Sequence, residues 1–279
     1  MKFSGHESFH CRSLWLKKGF DHINSGYDFK DEAPIQLGVG KNMVASIRYW
    51  VKSFGLVDID SEEIKPIADR IFRNDGWDPY LEDEGTLWLL HYWVVKNGYA
   101  SIYGIIFNEL RKRKPLFTLE NFKDLIIKEK EQHISPNSLK TDFQAFTRTY
   151  VSKKNKKDLD RDLEDSYSGI LTELRLVSEH KAGLEIEPVK RSNIPLPILL
   201  FCILNSNKAR RSVSFEILYS ENNSVGTVFA LSREGLNELL EALDEEYKEL
   251  TYSNEAGIRE LQFKKVLDPL KILDGYYEN

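Results

Sequence analysis

The stretch Leu37-Gly38-Val39-Gly40-Lys41-Asn42-Met43-Val44-Ala45-Ser46-Ile47-Arg48-Tyr49-Trp50-Val51-Lys52-Ser53-Phe54-Gly55 sets a glycine-bearing turn directly before an amphipathic helix. Met43, Val44, Ile47, Trp50, Val51 and Phe54 recur at helical spacing, and Gly55 ends the run. Upstream, residues 12–24 read as a short helix closed near Ser25-Gly26. A short helix, a turn with glycine and a second amphipathic helix make a helix-turn-helix, whose second helix lies in the major groove of DNA. Lys41, Asn42, Arg48 and Lys52 are then its polar contacts. Lys and Arg hold phosphates or guanine edges, and Asn pairs with adenine. The same hairpin also occurs as plain packing in helical folds.

Working outward, Leu56-Val57-Asp58-Ile59-Asp60 reads as a short strand, where a wing would begin. A second unit of this kind follows. Thr118 caps a helix through Lys130, and Ser135-Pro136 opens another whose Leu139, Phe143, Phe146 and Tyr150 share a face. Lys140, Gln144 and Arg148 fall on its polar side. Between the units, Thr86 to Val95 is apolar almost all round and reads as a buried helix, with His91 as a satisfied core histidine. Further on, Gly169 to Val177 is helical in pattern, Leu184 to Pro188 strand-like, and Ile198 to Leu204 an apolar helix after Pro195-Leu196-Pro197. Ser214 to Leu218 fits helix or strand, Gly226 to Leu231 a strand, Arg233 to Leu243 a helix capped by Ser232, and Asp268 to Tyr277 a terminal helix. The lysine-rich 152–157 and acidic 158–165 read as a linker. The expected architecture is mainly α with small β wings, built of tandem helix-turn-helix or winged-helix units. Residues 1–157 form the N-terminal helical domain and 158–279 a C-terminal α+β winged-helix-like domain.

With 279 residues, 41% hydrophobic and 30% charged, the chain can bury more than one core. No stretch approaches the ~20 uninterrupted apolar residues that span a bilayer, and the charged start Met-Lys-Phe-Ser-Gly-His-Glu is unlike a secretory signal. A cytoplasmic protein with no membrane partner is expected. Cys11 and Cys202 are too few for a disulfide scaffold or a four-cysteine zinc site. The net charge of -5 hides two blocks. Residues 108–157 hold thirteen basic against six acidic residues, a net of +7 that suits a phosphate backbone. Residues 56–85 hold ten carboxylates against three basic residues, a net of -7 that repels DNA unless metals or a partner cover it. A solvated face explains either block as well.

Two motifs carry possible chemistry. His6-Glu7-Ser8-Phe9-His10 matches the H-E-x-x-H zinc pattern, but it lacks the long helix and the third ligand that a metalloprotease needs. Asp75-Gly76-Trp77-Asp78-Pro79-Tyr80-Leu81-Glu82-Asp83 offers carboxylates that can gather magnesium as nucleases do. Turn and cap carboxylates before the helix at Thr86 explain it equally. Phosphate loops, nucleophile elbows and Cys-x-x-Cys pairs are absent, which argues against NTPase, hydrolase and zinc-ribbon classes.

Phe3-Ser4-Gly5-His6-Glu7-Ser8-Phe9, Arg12, Leu14 to Gly19, Leu37 to Val44, Ile47 to Trp50, Asp75 to Asp83, Leu87 to His91 and the closing Asp268-Pro269-Leu270 together resemble a bacterial family. That family, the SspB-like proteins, accompanies DNA phosphorothioation genes and includes a nicking component of this defence system. The resemblance runs nearly the whole length. It implies a protein that binds double-stranded DNA and nicks one strand, or positions the duplex, so that sulfur can replace a phosphate oxygen. Its partners would be other phosphorothioation proteins: a cysteine desulfurase, an ATPase and a sulfurtransferase. In such chemistry His6 and Glu7 would supply acid and base, Arg12 would neutralise phosphate, and Asp75 or Asp78 would hold magnesium or manganese. No organic cofactor is expected, and a homodimer would suit a palindromic site. Two other classes fit the residues: a non-catalytic winged-helix transcription regulator, and a scaffold that docks partners on its acidic face.

Overall fold

Trp15, Leu16 and Phe20 recur at helical spacing and bury one side of α1 (Ser13–Asn24). The short α2 (Ala33–Leu37) ends on Gly38, whose φ of 63° suits a residue without Cβ. There the chain turns into α3 (Lys41–Ser53), which buries Val44, Ile47, Trp50 and Val51. The computed structural model describes residues 1–131, 133–152, 169–207, 211–255 and 258–278. Two compact units divide the chain, Met1–Ile186 and Glu187–Asn279.

In the first unit, α4 (Pro66–Phe72) precedes α5 (Glu84–Asn97), which Asp83 caps by accepting the Thr86 N–H at 3.1 Å. Leu87 to Tyr92 are all buried, as an all-round apolar sequence requires, and His91 Nδ1 lies 2.8 Å from the Tyr150 hydroxyl. A continuous helical rod follows as α6 (Ser101–Ile105), a π segment (Ile106–Leu110) and α7 (Arg111–Arg113). After β1 (Leu116–Phe117) come α8 (Leu119–Asp124) with a second π segment (Leu125–Glu129), then α9 (Pro136–Tyr150), capped by Ser135. Thr118 does cap α8, with Asn121 returning the bond to close a capping box. β2 (Ser178–His180) and β3 (Gly183–Glu185) complete an antiparallel sheet in the order β1-β3-β2, with Phe117 and Glu179 both opposite Leu184.

The second unit runs helix, strand, three helices and hairpin, where the closing part of the first runs helix, strand, two helices and hairpin. The apolar α10 (Leu196–Ser206) leads to β4 (Ser212–Ser214), α11 (Phe215–Ser220), α12 (Val225–Val228) and α13 (Arg233–Glu246). The hairpin β5 (Leu250–Glu255) and β6 (Ile258–Phe263) gives a sheet ordered β4-β6-β5, and α14 (Pro269–Tyr277) packs on α10. The chain is mainly α with two small antiparallel sheets, as its sequence predicts. Cys11 and Cys202 are both buried free thiols. Among the described residues no helix is long and apolar enough to cross a membrane.

Four local expectations need correction. Leu56–Asp60 forms no strand, because the Asp58 carboxylate accepts the N–H groups of Asp60 and Ser61 at 3.0 Å and closes a turn. Only the bridge between Val57 and Ile64 remains of the wing. Gly169 to Val177 holds one 3-10 turn (Thr172–Leu174) in place of a helix, since Gly169 bridges Arg12 and approaches the Arg148 carbonyl so closely that a Cβ would sit 1.9 Å from it. Gly226 to Leu231 forms no strand: Ser224 caps α12 by accepting the Thr227 N–H at 3.3 Å, so residues 226–228 are helical, and only Leu231 makes a β-bridge, with Val189. The hairpin β5–β6 has no counterpart in the sequence reading. The division between units falls after Ile186, and not at 157, because β3 pairs with β1 and β2 with β3. Of the expected linker, residues 153–165 lie outside the described residues.

Candidate functional site

Lys41, Ala45, Arg48 and Lys52 follow one another at four- and three-residue steps, so a single stripe of α3 carries three cations and a small residue. That stripe floors a groove of ≈ 640 Å³, also lined by Lys2, Gly5, Phe29, Lys30, Pro34, Tyr49 and Tyr99. Asp31 is the lone carboxylate on the lining. Three of the four helix contacts expected from sequence therefore meet in one place, with Asn42 exposed beside them.

Glu62 organises the floor. It receives the Arg48 guanidinium and the Lys52 ammonium, the latter at 2.7 Å, while Lys52 also donates to the Ile59 carbonyl at 2.7 Å. Partial burial opposes ionisation of Glu62, yet its bonds to Arg48 and Lys52 hold its carboxyl below the ordinary value. The bond to Glu62 in turn raises Arg48. Lys52 is buried and so committed to the interior, whereas Arg48 keeps half of its side chain in solvent. Lys30 pairs with Asp28, and Lys2 reaches the Tyr99 hydroxyl with its ammonium 3.8 Å from the ring centroid. Lys41 has no ion-pair partner among the described residues.

The N-terminal segment forms the groove's edge. Ser4, Gly5, Glu7 and Ser8 all adopt positive φ, at 63°, 103°, 46° and 67°, a concentration of strain that surrounding structure must enforce. Asp142 of α9 supplies part of that enforcement: its Oδ2 accepts the Ser4 N–H at 2.9 Å, and its Oδ1 lies 3.5 Å from His6 Nε2. The His6 ring packs on Trp50 and edge-on to Tyr49, whose ring a Cβ at Gly5 would approach to 2.9 Å. His6 is 2% exposed and Asp142 1%, so neither faces the groove from solvent. Because residues 6–10 form a turn, His6 and His10 do not take the one-helical-turn spacing of a zinc site. Glu7 is exposed on this turn. Arg12 is half-buried with its guanidinium 5.1 Å from the Trp15 ring and 6.0 Å from Phe9.

The family model described as "Protein of unknown function (DUF4007)" matches residues 3–277. The chain belongs to this family. Its fold is similar to the crystal structure of SspB, with 27% identity, a TM-score of 0.84, and coverage of 100% of this chain and 88% of that one. Magnesium ion-bound SspB is similar too, at 26% identity and a TM-score of 0.82 over the same shares. No curated protein sequence matches the chain at a significant level.

In this DUF4007 chain the second carboxylate motif is structural in its visible bonding. Asp78 is buried and accepts the N–H groups of Glu82 at 2.8 Å and Asp83 at 3.1 Å, while Asp75 is exposed beside Arg73 at 3.3 Å. Magnesium asks for several oxygens in octahedral array, and Asp75 and Asp78 with these bonds do not present one. Among the described residues no three His, Cys, Asp or Glu gather to hold a metal. Asp78→Ala should therefore cost about 1.5–3 kcal/mol of stability, read by urea unfolding, and leave DNA affinity unchanged.

The basic run of 108–157 also resolves. Arg111 is buried and donates to the Phe107 carbonyl, and Arg113, Lys123, Lys128 and Lys130 pair with Glu129, Glu120, Asp124 and Glu109. Lys140, Gln144 and Arg148 remain exposed along α9. Lys153, Lys154, Lys156 and Lys157 lie outside the described residues. Sequence reasoning missed Lys2, Lys30 and Tyr99, which only the folded chain brings to α3. It also missed Asp142, although a carboxylate between Leu139 and Phe146 on an apolar helical face is a visible anomaly.

Proposed function

We propose that this protein binds double-stranded DNA with its first unit, the basic groove over α3 engaging one of the strands, and serves a DNA phosphorothioation system beside its desulfurase, ATPase and sulfurtransferase. The observation that carries this reading is the convergence of Lys2, Lys30, Lys41, Arg48 and Lys52 on one groove in a chain whose net charge is -5. The likeness to SspB over the whole chain supports the system. A helix, a strand, further helices and a closing hairpin follow one another in each unit in the order of a winged helix, with α9 and α13 as the helices that precede the hairpins. Their charges differ in sign. α9 offers Lys140 and Arg148, while α13 sets six carboxylates against Arg233, so DNA is directed to the first unit.

Within that role, a strained turn that lends Gly5 to the groove's lining and carries the exposed Glu7 favours nicking over positioning alone. Glu7 is the accessible base there, and His6, sealed against Asp142, acts by positioning the turn. The test is incubation of the pure protein with supercoiled plasmid and magnesium or manganese. The wild type should shift the plasmid and convert it to open circles, and Glu7→Ala should shift it without conversion. A shift with no open circles from the wild type would assign positioning or regulation, and no shift would remove the DNA-binding reading.

A further inference from the structure

A helix that reads a major groove must stand proud of its protein, because it enters a cleft about 12 Å wide. The exposed stripe of α3 does the opposite: it is the floor of a concavity, with Lys52 sunk below it and residues from three other segments along its length. The concavity's chemistry matches something smaller than a duplex. Lys41 and the half-exposed Arg48 offer charge to a phosphate, and Glu62 already occupies the guanidinium as a carboxylate would in place of a phosphate oxygen. Phe29, packed on His22, and Tyr99, which carries the Lys2 ammonium, are both half-buried and offer their remaining ring surface to a base. Ala45 keeps the floor open between the long side chains at 41 and 48, and the ≈ 640 Å³ lies within the roughly 300–1,000 Å³ of sites that enclose small organic groups.

We infer that the groove takes a nucleotide of a single DNA strand, its phosphate on Lys41 and Arg48 and its base against Tyr99 or Phe29. A base stacked and paired in a duplex cannot reach such a site, so the strand must be opened or extruded first. This rests on the DNA-binding reading and gives it a substrate: one strand of opened DNA. The duplex on either side is left to exposed cations such as Lys140 and Arg148.

Fluorescence anisotropy of the full chain with a labelled oligothymidylate and with a duplex of the same length tests this. Ala45→Leu fills the floor at an exposed helical position, and circular dichroism verifies that the variant folds. The expected result is oligothymidylate affinity about tenfold weaker in Ala45→Leu, and duplex affinity unchanged. Thymidine monophosphate at equal nucleotide concentration should compete poorly. Equal loss for both DNAs would make the groove part of the duplex surface and overturn the inference while the DNA-binding reading stands. Loss for neither would overturn it as well, and full competition by the mononucleotide would reassign the groove to a free nucleotide. Binding of neither DNA by the wild type would remove the underlying reading itself.

Discussion

The double variant Lys41→Gln/Arg48→Gln is expected to bind single-stranded DNA about 10–100-fold more weakly than the wild type near 0.1 M salt, with a shallower salt dependence. Each phosphate contact contributes a slope of about 0.7 to the fall of log affinity with log salt on a single strand, so losing two should flatten the plot by roughly 1.4. Glutamine is the right replacement because glutamate at 48 would face Glu62 and disturb the floor by repulsion. Lys52 is left intact, since its bonds to Glu62 and the Ile59 carbonyl make it part of the scaffold. Anisotropy titrations across a range of salt give both numbers. An unchanged slope would mean that the two side chains touch no phosphate.

Asp142→Ala should cost roughly 2–3 kcal/mol of stability, because it leaves the Ser4 N–H without its acceptor and removes the carboxylate beside the buried His6 ring. Total stabilities of domains are about 5–15 kcal/mol, so the loss is a large share. Asp142 is 1% exposed and serves two partners of the N-terminal turn, the Ser4 N–H and the His6 ring. Without it, a turn with four positive φ values loses a main restraint, and Gly5 and Tyr49 part at the groove's edge. Asp142→Asn keeps an oxygen for the Ser4 N–H and should retain part of the lost stability. Urea unfolding measures the loss, and faster hydrogen exchange at residues 3–9 locates it. A loss below about 1 kcal/mol would show that other packing holds the segment.

The helices were legible because their information is local. Trp15, Leu16 and Phe20 in α1, the caps Thr118, Ser135 and Ser232, and the all-round apolar α5 each speak within a few residues. The strands were harder, since two of the three in the first sheet have a pairing partner more than sixty residues away, at Leu116 with Glu185 and Phe117 with Leu184. Gly226 to Val228 shows the opposite failure: β-favouring residues drawn into a short helix by a cap at Ser224 and by burial. The α3 stripe could be read as a basic face, but its concavity could not, because Lys2, Phe29 and Tyr99 join it only through tertiary folding. The H-E-x-x-H residues open on a turn and not a helix, and the carboxylate beside His6 is that of Asp142, 136 positions further on.

Hydrogen exchange of the full chain with and without DNA tests the central claim most directly. The account predicts slowed exchange on binding in residues 27–49 and around Tyr99, with α13 unchanged. Slowed exchange confined to α13 and the β5–β6 hairpin, with the α3 groove unaffected, would contradict it.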